Sequence, residues 1–338
     1  MPQPLKICLV GSGAISTAFA QILGKKEDFT IDILSIEEDV INSINNDHIN
    51  HKYFPTIILN NNVRASSDKS ILKESDVIFF GIPSTAIIDY VTENKALLNP
   101  GAVLVNLAKG FGNQGNTIPQ CLEKIVNQPI ISIKGASFAR EIINYIPTGM
   151  TIATKNSKYF DFFKELFEET NIFLDYTTDV IGVELASILK NIYAIIIGIV
   201  DAHYDSPNLR SLVLTRSINE MRYLLSRFGG KEKTIFNYCG FGDFSLTALN
   251  DMSRNRTLGL LIGKGFFTPY ISEKVVLEGK IATNVFVEKI ATKRNIRTQD
   301  LMMKELYRVF NEKDYDISNF VKNILAAKPI KEDLFTWF

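Results

Sequence analysis

The most constraining feature of the chain is a glycine-rich turn placed between a strand and a helix. Leu5 to Val10 is a short apolar run, Gly11-Ser12-Gly13 stops it, and Ala14 to Leu23 continues with helix formers at apolar spacing. Gly11 permits a tight turn, and Gly13 lets backbone approach a pyrophosphate. The helix N-terminus that follows supplies N–H donors and the positive end of a dipole. A second strand, Phe29 to Leu34, completes the surroundings that a dinucleotide-binding turn requires. The third glycine of such a fingerprint is replaced by Ser16, the next smallest side chain with a hydroxyl.

The same alternation runs on. Asp76 to Ile82, Ala102 to Leu107 and Pro129 to Ile133 read as strands, with helical stretches near 84–96 and 117–126. Gly149 to Thr154 and Ile172 to Tyr176 read as two more strands around a helix near 158–168. Strands separated by helices imply βαβ units, right-handed crossovers and a parallel sheet. Past residue 180 strand punctuation stops. Gly182 to Val200, Leu212 to Phe228, Gly265 to Leu277 and Thr298 to Asn311 all read as helices. The expected fold is α/β: a Rossmann-type doubly wound sheet over 1–180, then a mostly α-helical domain over 181–338. Two domains also suit a chain of 338 residues, at about 150 residues per domain.

Lys plus Arg number 37 and Asp plus Glu 37, so the formal charge is zero. No basic excess exists to neutralise a run of phosphates, which argues against nucleic acid as a partner. A single small anion needs only a few placed donors and stays open. The cysteines Cys8, Cys121 and Cys239 are far apart, odd in number and without CxxC spacing. They read as reduced, small apolar residues, and neither a disulfide framework nor a metal cluster is expected. No long apolar stretch precedes the glycine turn, and Ile192 to Val200 falls short of the ~20 residues a membrane helix needs. A cytoplasmic protein without membrane insertion is the expectation. His48, His51 and His203 have no accompanying ligand cluster.

The second strand runs into Glu37-Glu38-Asp39, and the next basic residue lies well downstream. A carboxylate there accepts from both ribose hydroxyls of an adenosine and repels a 2′-phosphate, which favours NAD over NADP. In the second half, Lys190 and Asn191 sit in an otherwise apolar helix. Such a lysine is paired, faces a cleft or keeps its head in water, and desolvation tunes it for proton transfer. Asp243 follows Gly240-Phe241-Gly242, with Thr247 four residues on. Arg254 and Asn255 lie side by side, and an Arg fork suits an anion. Lys109 follows the strand Ala102 to Leu107, where ligands of doubly wound folds bind. Each of these also has a plain reading as a capping or solvated side chain.

Taken together, the residues resemble the NAD(P)-dependent glycerol-3-phosphate dehydrogenase family over nearly the whole chain. The matching pieces come in order: GSGAISTAFA at 11–20, KYFP at 52–55, IPS at 82–84, KG at 109–110 and GASFAREI at 135–142. They continue as E-x5-KN at 184–191, D-x6-N at 201–208, TR-x3-E at 215–220, GFGDFSLT at 240–247, SRNRTLG at 253–259 and LEG at 277–279. The resemblance implies hydride transfer between NAD(H) and dihydroxyacetone phosphate or sn-glycerol 3-phosphate, for glycerophospholipid synthesis, by a homodimer. It implies catalytic roles for Lys190, Lys109 and Asp243. It implies substrate binding by Lys109, Asn191, Asp243, Thr247, Arg254 and Asn255. It implies cofactor binding by Gly11, Ser12, Gly13, Ala14, Ile15, Glu37, Pro83, Lys109, Ala139, Arg254 and Glu278, and no metal.

Two departures stand out. Ser16 replaces the third glycine, and DAHYDSPN at 201–208 keeps Asp201 and Asn208 of a usually glycine-rich stretch without its glycines. A differently shaped loop is expected there. It motivates an alternative substrate, another small phosphorylated or carboxylated alcohol. A non-catalytic NAD-binding sensor is disfavoured by the presence of all the polar residues named.

Overall fold

The computed structural model describes residues 4–266, 277–292 and 301–327. Its contacts divide the chain into two compact units, Met1–Val180 and Ile181–Phe338.

The first unit alternates β1 (Leu5–Val10), α1 (Ala14–Leu23), β2 (Phe29–Leu34), α2 (Glu38–Asp47), β3 (Val63–Ser66), β4 (Val77–Phe80), α3 (Ser84–Asn94), β5 (Val103–Asn106) and α4 (Ile118–Leu122). It continues with β6 (Ile130–Gly135), α5 (Ala139–Ile143), β7 (Thr148–Ala153), α6 (Lys158–Phe167) and β8 (Ile172–Thr177). The strands form one sheet in the order β3-β2-β1-β4-β5-β6-β7-β8. Both faces are covered, so the central strands are apolar throughout rather than alternating. In β1, Ile7 and Leu9 join the core on one face, while Cys8 and Val10 join the core on the other. The order reverses beside β1, so the first strand ends at the switch point where such sheets bind ligands.

The sheet departs from the parallel expectation at one pair: β6 and β7 run antiparallel. The link between them holds only α5, five residues long. Five residues rise about 7.5 Å as a helix, too little to carry the chain back along a strand of ~20 Å. The chain therefore turns and re-enters from the same end. The strand β3 and helix α2 have weak sequence signals: VRAS alternates over only four residues, and EDVINSINND is mostly polar.

Ser16 is accommodated from the neighbouring strand. A Cβ built on Gly81, just past β4, would lie 2.0 Å from the Ser16 hydroxyl. The close helix–strand approach that a third glycine would permit is thus provided by a glycine on the facing backbone.

The second unit is built on α7 (Val180–His203) and α8 (Pro207–Arg227), followed by α9 (Asp243–Leu249), α10 (Arg254–Gly263), α11 (Leu277–Thr292), α12 (Met302–Asn311) and α13 (Phe320–Ala326). The helix read from the sequence over 265–277 falls largely outside the described residues. The apolar helix α7 is longer than the run noticed in the sequence. By length and composition it passes as a membrane span, yet 94% of its apolar window is buried in the protein. It is a core helix.

α7 and α10 touch through glycines. A Cβ on Gly259 would lie 2.1 Å from the Ile195 carbonyl oxygen and 2.9 Å from the Gly198 Cα. Backbone cannot rotate away as a side chain can. Helix propensity favours Ala over Gly by about 1 kcal/mol, while overpacking costs ~1–3 kcal/mol. Because the Cβ meets backbone, the upper end of that cost applies, and Gly259→Ala is expected to lower the urea midpoint by a net destabilisation of up to about 2 kcal/mol. An unchanged or raised midpoint would show that the helices do not cross this closely.

Candidate active site

The dinucleotide turn has the geometry that a bound pyrophosphate requires. Gly11 takes φ +95°, and a Cβ there would lie 2.6 Å from the Ile82 Cγ2. Gly13 caps α1 in extended backbone, and no side chain caps the helix. The first-turn N–H groups, including those of Ala14 and Ile15, are therefore not engaged by a capping side chain and suit an anion. The turn fits the pyrophosphate of a dinucleotide on these grounds.

Its neighbours along the same sheet edge follow from the parallel strands β1, β2, β4, β5 and β6, whose C-terminal ends lie together. Pro83 is the N-cap of α3 after β4, and Ala139 opens α5 after β6. Lys109 follows β5, half-buried, and its Nζ donates to the Gly135 carbonyl at 3.1 Å. Gly110 lets this turn pack on the start of α3, since a Cβ there would meet the Ser84 Oγ at 2.2 Å. A residue that the sequence reading passed over lies beside it. Lys134, in β6, is 0% exposed, and its Nζ donates to the Asn106 carbonyl at 2.8 Å. The two lysines thus tie the ends of β5 and β6 to each other. A lysine one residue before the end of the apolar run PIISIKG was the available signal.

At the end of β2, Ser35 Oγ shares a hydrogen bond of 2.7 Å with Ser12 Oγ and accepts the Glu37 N–H at 3.0 Å. This fixes Glu37 beside the glycine turn. Ile36 is 97% exposed, an apolar side chain left in water at the same edge. The acidic stretch is not remote from a cation, contrary to the impression from sequence: Lys52 forms an ion pair with Glu37. The loop bulges back because buried Asn50 donates to the Ser12 carbonyl and to Thr17 Oγ1.

In the second unit, Lys190 lies in α7 and is only 6% exposed. Its Nζ donates to Asp243 Oδ1 at 2.8 Å and to Thr247 Oγ1 at 2.7 Å. Asp243 and Thr247 are one turn apart on α9, so both face the same point. The glycine-rich segment before α9 makes a single wide turn, Tyr238–Gly242, in which Gly240 takes non-helical angles. A Cβ there would sit 2.2 Å from the Ile235 carbonyl oxygen. The approach that only glycine allows brings Asp243 to the lysine. Next to it, Asn255 Nδ2 donates to Asn191 Oδ1 at 2.9 Å. Arg254 is exposed at the first position of α10, whose N-cap is Ser253. Glu278 is exposed near the start of α11, and the following Gly279 sits close to the Asn255 side-chain oxygen. The structure therefore gathers Lys190, Asp243 and Thr247 into one cluster and Asn191 with Asn255 into another.

The altered 201–208 loop is short, because α7 extends to His203 and Ser206 caps α8 ahead of Pro207. The Asp201 side chain is 3% exposed and accepts Arg210 Nε at 2.7 Å and Arg256 Nη2 at 2.8 Å. It joins α7, α8 and α10. The TR-x3-E motif is likewise structural in its contacts. Arg216 donates to carbonyls at the end of α13, and Glu220 accepts the Met302 N–H at the start of α12 and the Tyr193 hydroxyl at 2.9 Å.

A model of the NAD-dependent glycerol-3-phosphate dehydrogenase N-terminus matches residues 6–160, and one of its C-terminus matches residues 179–322. The chain is 30% identical over 330 residues to a glycerol-3-phosphate dehydrogenase [NAD(P)+] of Leptospira biflexa, covering 95% of this chain and 98% of that one. It is 33% identical over 301 residues to a chloroplastic glycerol-3-phosphate dehydrogenase [NAD(+)] of Arabidopsis thaliana, covering 86% of this chain and 71% of that one. Among solved structures, the glycerol-3-phosphate dehydrogenase of Coxiella burnetii superposes with a TM-score of 0.86 at 28% identity, over 96% of this chain and 100% of that one.

Burial pushes the Glu220 carboxyl up to about 7, against the lowering effect of the Met302 N–H and the Tyr193 hydroxyl. Between the ordinary carboxylate range and that value, the folded chain keeps a proton that the unfolded chain has released. Stability therefore falls as pH rises through this window and levels off above it. Glu220→Gln, which cannot ionise, is expected to flatten the decline in unfolding free energy between about pH 5 and about pH 7. An equally steep decline in the variant would assign the pH dependence to another group.

Proposed function

Because the chain belongs to the NAD-dependent glycerol-3-phosphate dehydrogenase family, we propose that it interconverts dihydroxyacetone phosphate and sn-glycerol 3-phosphate with NAD(H). The observation that carries this reading is the buried ammonium of Lys190 held between Asp243 and Thr247. A ketone reduced to an alcohol needs a proton at its oxygen, delivered as negative charge develops there. Lys190 provides a cation for that oxygen and a proton to give. In the reverse direction it takes the proton from the C2 hydroxyl. Asp243 and Thr247 each accept one of its N–H bonds, which fixes the direction of Nζ and offsets the cost of burying the charge.

When bound, the nicotinamide supplies or accepts the hydride. The Gly11–Ile15 turn would hold the pyrophosphate, and Glu37 would accept from the adenosine ribose. By the family resemblance, Pro83, Ala139 and Glu278 would contribute further contacts to the dinucleotide. Lys109 polarises the C2 oxygen together with Lys190. Arg254 grips the substrate phosphate, with Asn255, Asn191 and Thr247 beside it. Arg254 is exposed on the first turn of a helix, where a dianion gains from both the guanidinium fork and the helix N-terminus. Phosphate binding far from the reacting carbon positions that carbon. Asp201, which remains from the altered loop, is engaged by two arginines. It holds helices together and does not argue for a different substrate.

The enzyme works in this reading as a cytoplasmic homodimer that supplies glycerol 3-phosphate for glycerophospholipid synthesis. Its three cysteines are free and buried, in keeping with a reducing compartment.

The direct test is NADH oxidation with dihydroxyacetone phosphate beside unphosphorylated dihydroxyacetone. Turnover is expected with the phosphorylated ketone and not with the free one. Lys190→Ala is expected to lower kcat by at least ~10²-fold while NADH still binds by fluorescence titration. A near-normal kcat in that variant would refute the role given to Lys190. Equal rates on both ketones would refute the role given to Arg254.

A further inference from the structure

The dinucleotide edge carries a cation that the reading above does not use. Lys52 lies on the loop after α2 and is about half exposed, yet its position is fixed from below. Asn50, fully buried, donates through Nδ2 to the Ser12 carbonyl at 3.0 Å and to Thr17 Oγ1 at 2.8 Å. Both acceptors belong to the dinucleotide turn and its helix. The Asn50 side-chain oxygen accepts the Tyr53 N–H at 3.3 Å, and its carbonyl accepts the Phe54 N–H at 2.8 Å. The loop that bears Lys52 is therefore anchored on the turn itself. From there the ammonium reaches back to the Glu37 carboxylate. Glu37 is held by its own N–H on Ser35, which in turn bonds Ser12.

We propose that Lys52 is a specificity-determining residue, the cation that lets the adenosine end of the site accept a 2′-phosphate. This rests on the dinucleotide-binding reading. The carboxylate and the ammonium occupy one rim and act in opposite senses. Glu37 accepts hydrogen bonds from a free ribose diol and repels a phosphate. Lys52 neutralises Glu37 when the diol is bound. When a 2′-phosphate is present, Lys52 can leave the carboxylate and donate to the phosphate oxygens, a charge-assisted contact stronger than the exposed ion pair it replaces. The pair therefore narrows the discrimination that an acidic residue alone would impose. NAD remains favoured through Glu37, and NADP is admitted through Lys52.

The test is equilibrium binding of NADH and NADPH to the full chain, followed by nicotinamide fluorescence at low ionic strength. Lys52→Gln is expected to raise the NADPH Kd about five- to tenfold and to change the NADH Kd by less than about twofold. Lys52→Arg keeps the charge and is expected to keep the ratio of the two Kd values close to that of the unaltered chain. Added salt is expected to weaken NADPH more than NADH in the unaltered chain, and to lose much of that difference in Lys52→Gln. Equal effects of Lys52→Gln on both nucleotides, or none on either, would overturn the proposal. So would Lys52→Arg behaving as Lys52→Gln does. Failure of both nucleotides to bind the unaltered chain would instead overturn the dinucleotide reading on which the proposal rests.

Discussion

An ammonium removed from water must be met by anions and dipoles, and much of the helical unit is arranged around that need at Lys190. The lysine is only 6% exposed on a helix whose apolar window is 94% buried, so water cannot provide the compensation. It comes from Asp243 and Thr247, one turn apart on a short helix. That helix can approach only because a glycine at 240 lets backbone lie against backbone. Phe244, next to Asp243, packs edge-on against Tyr193, which lies one turn beyond Lys190 on the same core helix. Tyr193 in turn donates to Glu220. Chemistry and packing share the same residues in the proposed reading: the ammonium to which proton transfer is assigned is held by contacts that also close the core.

The sheet unit solves a different problem. A pyrophosphate needs backbone donors and space, and side chains near it are a hindrance. The switch point beside β1 brings Gly11, Gly13 and an uncapped helix end to the place where the strands stop. The close helix packing lost when Ser16 stands in for glycine is recovered by Gly81, just past the neighbouring strand β4. Spatial neighbours share the requirement for smallness, and the sequence position that meets it is free to vary.

Much of this was legible in the chain. The first strand and helix, the second strand and the long helices announce themselves through apolar period and glycine punctuation. The polar residues Lys190, Asp243 and Thr247 stand out because they interrupt apolar or glycine-rich runs. Short elements were harder. Four residues of VRAS and the polar helix Glu38–Asp47 carry too little periodicity to be read locally, and their structure comes from the sheet edge they complete. The antiparallel entry of β7 depends on the length of a connection, which composition does not express. Lys52 looked remote from Glu37 because fifteen residues separate them, and only the Asn50 anchor closes that distance.

By itself, then, the sequence determined which residue types were available and in what local conformation: a glycine turn before a helix, a lysine in an apolar helix, an arginine beside an asparagine. Local sterics and hydrophobic period decide those matters over a few residues. The tertiary structure decided which charges meet. It joined Lys190 to Asp243 across 53 residues, Asn191 to Asn255 across 64 and Asp201 to Arg256 across 55. Such pairings depend on helix crossings set by packing in the core. No local preference encodes them, because an ion pair or a hydrogen bond forms only where the backbone has already brought its two ends within about 3 Å.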